Sequence, residues 1–229
     1  MEKPDLQESI NKAAQPKPVI AVILKLFFQL LYHQFAWAYD GVAWVVSLGA
    51  WQGWVRSVAA SIDGPTVLEI GFGPGHLLTE LARKGIVAIG LDESCQMIRL
   101  AKKRFIKKNL SGKLLRGEAQ TLPLTNECIH QVVMTFPAEY ILNPLTLAEV
   151  HRVLVNRGKA YILPFAWITS RSPIHRLAAW VNRITGEAPT WNERLLAPLE
   201  NTGFEVNWEM KDFGSSKAVL IQLTKQQTK

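Results

Sequence analysis

Cysteines, long apolar runs and metal-ligand patterns are scarce or missing in this chain of 229 residues. Its two cysteines, Cys95 and Cys128, form no spaced framework, so we expect a reduced, cytoplasmic protein without a metal site. The longest uncharged runs, Leu26–Tyr39 and Gly41–Val55, are shorter than the roughly 20 apolar residues of a membrane span. Residues 1–18 are polar and rich in proline, which predicts a flexible tail rather than a secretory signal.

Acidic residues are absent from residues 94–117, although the chain as a whole has a net charge of +7. Eight basic residues lie in that stretch: Arg99, Lys102, Lys103, Arg104, Lys107, Lys108, Lys113 and Arg116. The simplest interpretation is a solvated outer helix face. A surface that contacts anionic lipid is the alternative, and nucleic acid is less favoured because no aromatic residues are interleaved in an RNA-binding pattern.

The order of apolar segments predicts an α/β fold with a doubly wound, mostly parallel sheet. Residues 19–62 are apolar and aromatic without strand-like alternation, so we expect a helical cap there and a second domain over residues 63–229. Short apolar runs then alternate with helical patterns, which is typical of βαβ units. The expected strands are Thr66–Ile70, Ile86–Leu91, Gly112–Arg116, Ile129–Thr135, Lys159–Phe165 and a terminal hairpin of Gly203–Phe213 with Lys217–Leu223.

A glycine loop follows the first predicted strand and precedes a predicted helix, Leu77–Lys84. Its glycines at 71, 73 and 75 suit a turn that needs positive φ angles or close approach of a ligand to the backbone. His76 stands where a dinucleotide-binding fingerprint needs its third glycine. Asp92 ends the second predicted strand, where an acid accepts hydrogen bonds from the two ribose hydroxyls of an adenosine ligand.

These segments resemble the class I S-adenosylmethionine-dependent methyltransferases. Four stretches match that family's motifs in order: Glu69–Gly75 with E/D-x-G-x-G-x-G, Asp92–Ile98 with D-x-S-x-x-M-L, Gly117–Leu124 with G-D-A-x-x-L-P-F, and Glu149–Gly158 with E-x-x-R-V-L-K-P-G-G. The resemblance implies a Rossmann-like methyltransferase fold of seven strands and S-adenosylmethionine as the cofactor. It also implies that Met97 packs on the adenine, and that Glu118, in place of the usual aspartate, meets the adenine edge with Ala119.

The predicted cofactor-binding residues are therefore Glu69, Gly71, Gly73, Gly75, Asp92, Met97, Glu118, Ala119 and Phe136. Phe136 is included because it follows the fourth strand, at the crevice outside the carboxyl ends of the strands.

A second resemblance precedes the glycine loop. Residues 39–54 are similar to the Y-D-x-x-N-x-x-x-S-x-G-x-x-x-x-W stretch of the ubiquinone and menaquinone C-methyltransferases. Tyr39, Asp40, Ser47, Gly49 and Trp54 are in register, whereas Ala43 replaces the family's asparagine and Phe136–Tyr140 replaces its N-x-x-R-N loop. In that family both positions contact the substrate. The resemblance therefore implies the same architecture for this chain, but it does not establish a quinone as the substrate.

Trp37, Trp44 and Trp51 are spaced by seven residues and are predicted to share one helix face. That face either packs on the sheet, which we favour for at least two of them, or covers an apolar substrate, or enters a membrane interface.

Methyl transfer from a sulfonium needs a base only when the nucleophile must lose a proton. The candidate catalytic residues are Tyr39, His33, Glu139 and Tyr140. The aromatic residues expected around the substrate are Tyr39, Trp44, Phe136, Tyr140, Phe165 and Trp167. Such surroundings predict a small apolar acceptor, with prenylated quinones and lipids as the leading cases. A non-catalytic adenosine-binding regulator and a nicotinamide-dependent oxidoreductase remain as alternatives.

Overall fold

The computed structural model describes residues 39–137, 139–169, 196–200 and 202–227. These residues form one mixed sheet of eight strands with helices on both faces. The strands are β1 (Thr66–Ile70), β2 (Val87–Asp92), β3 (Lys113–Arg116), β4 (Ile129–Thr135), β5 (Leu154–Leu163), β6 (Ala166–Ile168), β7 (Phe204–Asp212) and β8 (Ser216–Lys225). The helices are α1 (Tyr39–Ser47), α2 (Trp51–Ala60), α3 (His76–Arg83), α4 (Cys95–Lys107), α5 (Pro144–Val153) and α6 (Ala197–Glu200), with a 3₁₀ turn at Glu139–Leu142.

The sheet begins with β3, β2, β1, β4 and β5, all parallel, and continues with the antiparallel strand β8. Strands β5 and β6 pair with successive parts of one edge of β8, while β7 pairs along its other edge. The predicted seven-stranded sheet with a terminal hairpin is confirmed, with one difference. The chain leaves the sheet at Pro164, which has no amide hydrogen for a ladder bond, and re-enters it as β6.

Parallel strands buried on both faces need near-continuous apolar sequence, and the central strands have it. Four of the five residues of β1 and five of the seven residues of β4 are buried. On one face α5 buries Leu147, Val150 and Val153 against the sheet. On the other face α2 buries Trp54, Val55, Val58 and Ala59. Helix α2 is therefore part of the core on that face of the sheet.

The predicted tryptophan stripe is wrong for the residues that the structure describes. Trp44 lies on α1 and Trp51 on α2, and the two helices are separated at Leu48 and Gly49, which both have positive φ angles. Trp44 is 62% exposed, whereas Trp51 packs against the core. Trp37, His33 and the predicted tail lie outside the described residues.

Within the described part of the chain, no helix is both long and apolar enough to cross a membrane.

Candidate functional site

The glycine loop connects the end of β1 to the start of α3. Gly71, Gly73 and Gly75 have φ angles of 69°, 52° and 78°, a region that side-chain-bearing residues rarely adopt. The amide of Gly71 donates to the carbonyl of Leu91 at 2.8 Å, which ties the loop to the neighbouring strand β2. Because these glycines have no side chains, a ligand can approach the loop backbone closely at the carboxyl edge of the sheet, just before the amino terminus of helix α3.

Asp92 is the last residue of β2 and lies beside this loop, as the sequence predicts. Its Oδ2 atom accepts a hydrogen bond from the amide of Gly73 at 2.9 Å, and its Oδ1 atom accepts one from the amide of Ser94 at 2.8 Å. The carboxylate is thus oriented by two backbone donors and is only 5% exposed. Because a carboxylate offers about four acceptor positions, this arrangement is compatible with further bonds to a ligand diol.

Glu69 lies on β1, two residues before the glycine loop, and is 1% exposed. Its Oε2 atom has no hydrogen-bond partner among the described residues. Burial raises the pKa of Glu69 well above its usual range, the nearby charge of Asp92 raises it further, and a bond from the amide of Leu78 opposes both. A buried acid without a full set of partners is expensive to keep, and a cationic ligand group would satisfy it.

The loop of residues 117–126, which follows β3, reaches the same edge. The amide of Gly117 donates to the carbonyl of Asp92 at 3.2 Å. Ala119 is buried, and Glu118 is exposed. Met97 is fully buried, so in this arrangement its side chain belongs to the protein's own core. Its contact with adenine stays a prediction.

Two residues follow β4 at the predicted crevice. Phe136 has a φ angle of 50°, donates its amide to the carbonyl of Leu163 at 2.7 Å and stacks on Trp51 with 6.0 Å between ring centroids. The hydroxyl of Tyr140 lies 3.4 Å from the carbonyl oxygen of Ile70. It also lies 2.5 Å from the point where a Cβ on Gly71 would stand, so any other residue at 71 would collide with it.

The predicted aromatic lining divides into two groups. Phe136 packs with Trp51 and Trp54 on the α2 face of the sheet, whereas Phe165 and Trp167 pack against the α5 face with their ring centroids 5.9 Å apart. Trp44, which was expected at the same cavity, has a largely exposed side chain, and its place there stays a prediction. Of the catalytic candidates, Tyr140 is the one whose side chain the structure describes; those of Tyr39, His33 and Glu139 lie outside the description.

A contact between helix α1 and the region of the glycine loop was not predicted from the sequence. Asp40 on α1 bonds through Oδ1 to Nε2 of His76 at 2.7 Å and through Oδ2 to Nη2 of Arg104 at 2.5 Å. Arg104 also donates to the carbonyl of Pro74 within the loop. Burial opposes ionisation of Asp40, but the bonds and charges of His76 and Arg104 outweigh it and lower the pKa of the carboxyl. The feature of the sequence that could have revealed this contact is Asp40 itself, a single acid in an otherwise apolar segment.

Comparisons of the sequence and of the fold with known proteins show what this chain resembles. Residues 67–158 match the model of a methyltransferase domain. The chain is 25% identical over 210 residues to demethylmenaquinone methyltransferase from Tropheryma whipplei, covering 81% of this chain and 87% of the relative. It is 31% identical over 147 residues to 2-phytyl-1,4-naphtoquinone methyltransferase from Nostoc punctiforme, and this match covers 60% of this chain and 64% of the relative.

The fold also matches a solved SAM-dependent methyltransferase from Methanosarcina mazei, with a TM-score of 0.56, 20% identity and coverage of 75% of this chain and 98% of that one. Residues 67–158 form a methyltransferase domain, and the chain is an S-adenosylmethionine-dependent methyltransferase. It resembles the quinone C-methyltransferases, as the sequence predicted. The structure of this methyltransferase also fits the cofactor, because the left-handed glycines, the oriented Asp92 carboxylate and the orphaned Oε2 atom of Glu69 lie at one edge of the sheet.

Proposed function

We propose that this methyltransferase transfers the methyl group of S-adenosylmethionine to a small apolar acceptor of the quinone or lipid class. The observation that carries the proposal is the aromatic stack of Phe136 on Trp51, with Trp54 beside it, directly past the end of β4. Aromatic faces recognise flat apolar molecules, and burial of an ionic acceptor against them would be costly. The relatives from Tropheryma whipplei and Nostoc punctiforme are both named as quinone methyltransferases, which supports the same class.

The proposed cofactor contacts follow from the chemistry of the site. The loop amides of Gly71 to Gly75 allow close approach, Asp92 accepts from the ribose hydroxyls, and Glu69 accepts from the ammonium group. Glu118 and Ala119 serve the adenine edge. When bound, the cofactor supplies an electrophilic methyl group on a sulfonium.

The protein's own residues mainly position the acceptor and exclude water. Phe136 and Trp51 form a rigid wall, and the hydroxyl of Tyr140 lies over Gly71, at the start of the cofactor loop. Tyr140 is therefore the proposed residue for orienting the reacting atom of the acceptor. Loss of a proton to a base is needed only if that atom carries one.

The acceptor class is tested with cofactor labelled on its methyl group. Purified protein is incubated under reducing conditions with a short-chain demethylmenaquinol, whose electron-rich ring carbon can take the methyl group from the sulfonium and then lose its proton. Parallel samples contain phospholipid vesicles or mixed peptides and RNA, and the label is then partitioned between organic and aqueous phases. The proposal expects label in the organic phase with the quinol or lipid, and at limiting cofactor concentration much less label with the Asp92→Asn variant. Transfer to peptide or RNA alone would overturn the acceptor class and leave the methyltransferase assignment intact.

We also propose that α4 and β3 contact an anionic membrane. Seven of the eight basic residues of 94–117 are exposed, and Ile106 lies among them with 79% of its surface exposed. The eighth, Arg104, is bound to Asp40. A basic face with a protruding apolar side chain suits the surface of anionic lipid, where each cation adds about 1 kcal/mol.

Vesicle sedimentation tests this surface. Binding to phosphatidylglycerol vesicles, with release as salt rises, is expected for the parent protein and is lost in Lys102→Glu/Lys103→Glu. The matched control, Arg56→Glu/Lys211→Glu, reverses two charges outside this surface and should bind as the parent does. Equal recovery in the supernatant with and without vesicles would leave the basic residues as a solvated face.

A further inference from the structure

The loop of residues 117–126 has neither helix nor strand, and a few backbone bonds shape it. Gly117 is held to the carbonyl of Asp92, and the amide of Thr121 donates to the carbonyl of Glu118 at 3.2 Å. The amide of Leu124 donates to the carbonyl of Leu122 at 2.8 Å. These bonds form local turns and fix only the first residue to the sheet. Just past the loop, the amides of Glu127 and Cys128 donate to the carbonyls of Arg152 and Val153 at 3.0 and 2.9 Å. Between these two ends, the position of the loop depends on side chains from other elements.

An ion pair on α5 supplies that support. Nε of Arg152 lies 2.6 Å from Oε1 of Glu149, and Nη2 lies 2.8 Å from Oε2, which is the bidentate geometry of a guanidinium with a carboxylate. The two residues are three positions apart, so they share one face of the helix. The bond from Arg152 lowers the pKa of Glu149, so the pair is ionised at neutral pH.

The same pair binds the loop through both backbone groups of Leu122. The amide of Leu122 donates to Oε2 of Glu149 at 2.7 Å, and its carbonyl accepts from Nη2 of Arg152 at 3.0 Å. Nη1 of Arg152 donates further to the carbonyl of Leu124 at 2.8 Å and to Oδ1 of Asn126 at 2.9 Å. One planar guanidinium thus spans three positions of the loop, a reach that the point charge of a lysine lacks.

The bound part of the loop lies close to the residues expected at the adenine. Leu122 and Ala119 are both buried and pack in the same core cluster as the α5 residues Leu147 and Val150. A shift of Leu122 would therefore be transmitted to Ala119 through a turn of only three residues, and Gly117 limits the movement at the other end.

We propose that Glu149 and Arg152 are positioning residues that set the selectivity of the site for the adenine base. Neither residue touches the cofactor: they hold Ala119 and Glu118 at the distance from Asp92 at which a backbone amide and a carboxylate meet the adenine edge. The proposal rests on the cofactor contacts of the proposed function.

The test measures discrimination between two ligands that differ only at that edge. S-adenosylhomocysteine and S-inosylhomocysteine, in which an oxygen replaces the 6-amino group, are titrated calorimetrically into the parent protein, Arg152→Met, Arg152→Lys and Glu149→Gln. The parent is expected to prefer the adenine ligand by about tenfold or more, since mispaired buried polar groups weaken binding by that order. Arg152→Met should reduce the ratio to about twofold or less, and the lysine variant should recover it only in part.

A merely structural role would lower the affinity for both ligands together and leave their ratio unchanged, so an unchanged ratio in Arg152→Met overturns the proposal. So does a parent that binds both ligands equally. If the parent binds neither ligand, the cofactor contacts of the proposed function fail instead. Arg83→Met, at an exposed position at the end of α3, is the matched control and should keep the parent's ratio. Should Arg152→Met not fold, the ratio in Glu149→Gln decides.

Discussion

Nε2 of His76 lies 2.7 Å from Oδ1 of Asp40, which joins helix α1 to the residue directly after the glycine loop. The second oxygen of the same carboxylate holds Arg104, which in turn bonds the carbonyl of Pro74. One acid outside the sheet therefore binds both the loop and the helix α4 that flanks it. Helix α1 is consequently tied to the glycine loop through His76 and Arg104.

Asp40→Asn is expected to weaken binding of S-adenosylhomocysteine several-fold, because the loop loses a charged anchor. The effect on thermal stability should be small, since Asp40 is about half exposed and such pairs contribute little. Calorimetric titration measures the first effect, and amide hydrogen exchange at Gly73, Gly75 and His76 should increase. Asp212→Asn, which removes an exposed partner of Lys217 in the hairpin, is the control. Unchanged affinity and exchange in Asp40→Asn would show that the anchor is dispensable.

Asp92→Asn should weaken cofactor binding by roughly 10- to 100-fold, the equivalent of the 1.5–3 kcal/mol typical of a hydrogen bond to a charged group. The neutral amide keeps the shape of the side chain but is a poorer acceptor for a diol. Glu93→Gln, at the exposed neighbouring position, should bind as the parent does. Equal affinities in both variants would remove Asp92 from the ribose site.

The raised pKa of Glu69 predicts opposite effects on stability and binding. The folded state holds this proton more tightly than the unfolded state, so the contribution to stability is full below the unfolded pKa and is lost as pH rises through the folded pKa. Glu69→Gln should therefore flatten the decline of unfolding free energy above about pH 4.5, the ordinary glutamate value.

The same variant should bind S-adenosylhomocysteine less tightly than the parent, and its affinity should lose the increase with pH that the parent shows. Titrations in buffers of different ionisation enthalpy should detect proton release on binding to the parent and none to Glu69→Gln. Proton release that persists in the variant would assign the coupling to another group.

Phe136 has a left-handed backbone conformation that its side chain disfavours. Alanine at this position removes the ring and keeps the strain, whereas glycine removes both. Phe136→Gly should therefore be more stable than Phe136→Ala by about 1 kcal/mol, the reverse of the usual order for these two residues. Denaturant unfolding measures the difference, and an alanine variant that is the more stable would show that the backbone relaxes out of the left-handed region.

Much of the sheet was predictable because its strands are short apolar runs bounded by breakers. Strand β4 has the bounds expected from its sequence, Ile129–Thr135, and Asp92 ends β2 as predicted. The start of β5 was placed five residues late, at Lys159 instead of Leu154. The polar residues Asn156 and Arg157 hid the first part of that strand, where Arg157 has a positive φ angle.

The contacts between distant segments were not predictable in the same way. The spacing of Trp44 and Trp51 predicted that they share one helix face. A left-handed turn at Leu48 and Gly49 separates them, and such a turn depends on tertiary contacts that residue spacing does not reveal. Likewise, Glu149 and Arg152 were recognisable as a motif, yet only the folded chain brings them to Leu122. Side-chain bonds to backbone groups far along the chain depend on the sheet order, which a local pattern cannot supply.

The two outermost strands have a consequence for how the chain behaves before it is fully folded. In the described part of the chain, β3 pairs with β2 and β7 pairs with β8, so each presents an outer edge to its surroundings. The edge at β3 exposes Lys113 and Arg116 and contains no acid, whereas β7 carries acids as well as Lys211. Pairing of the β3 edges of two copies would bring like charges together, which disfavours the shared sheets through which partly folded chains aggregate.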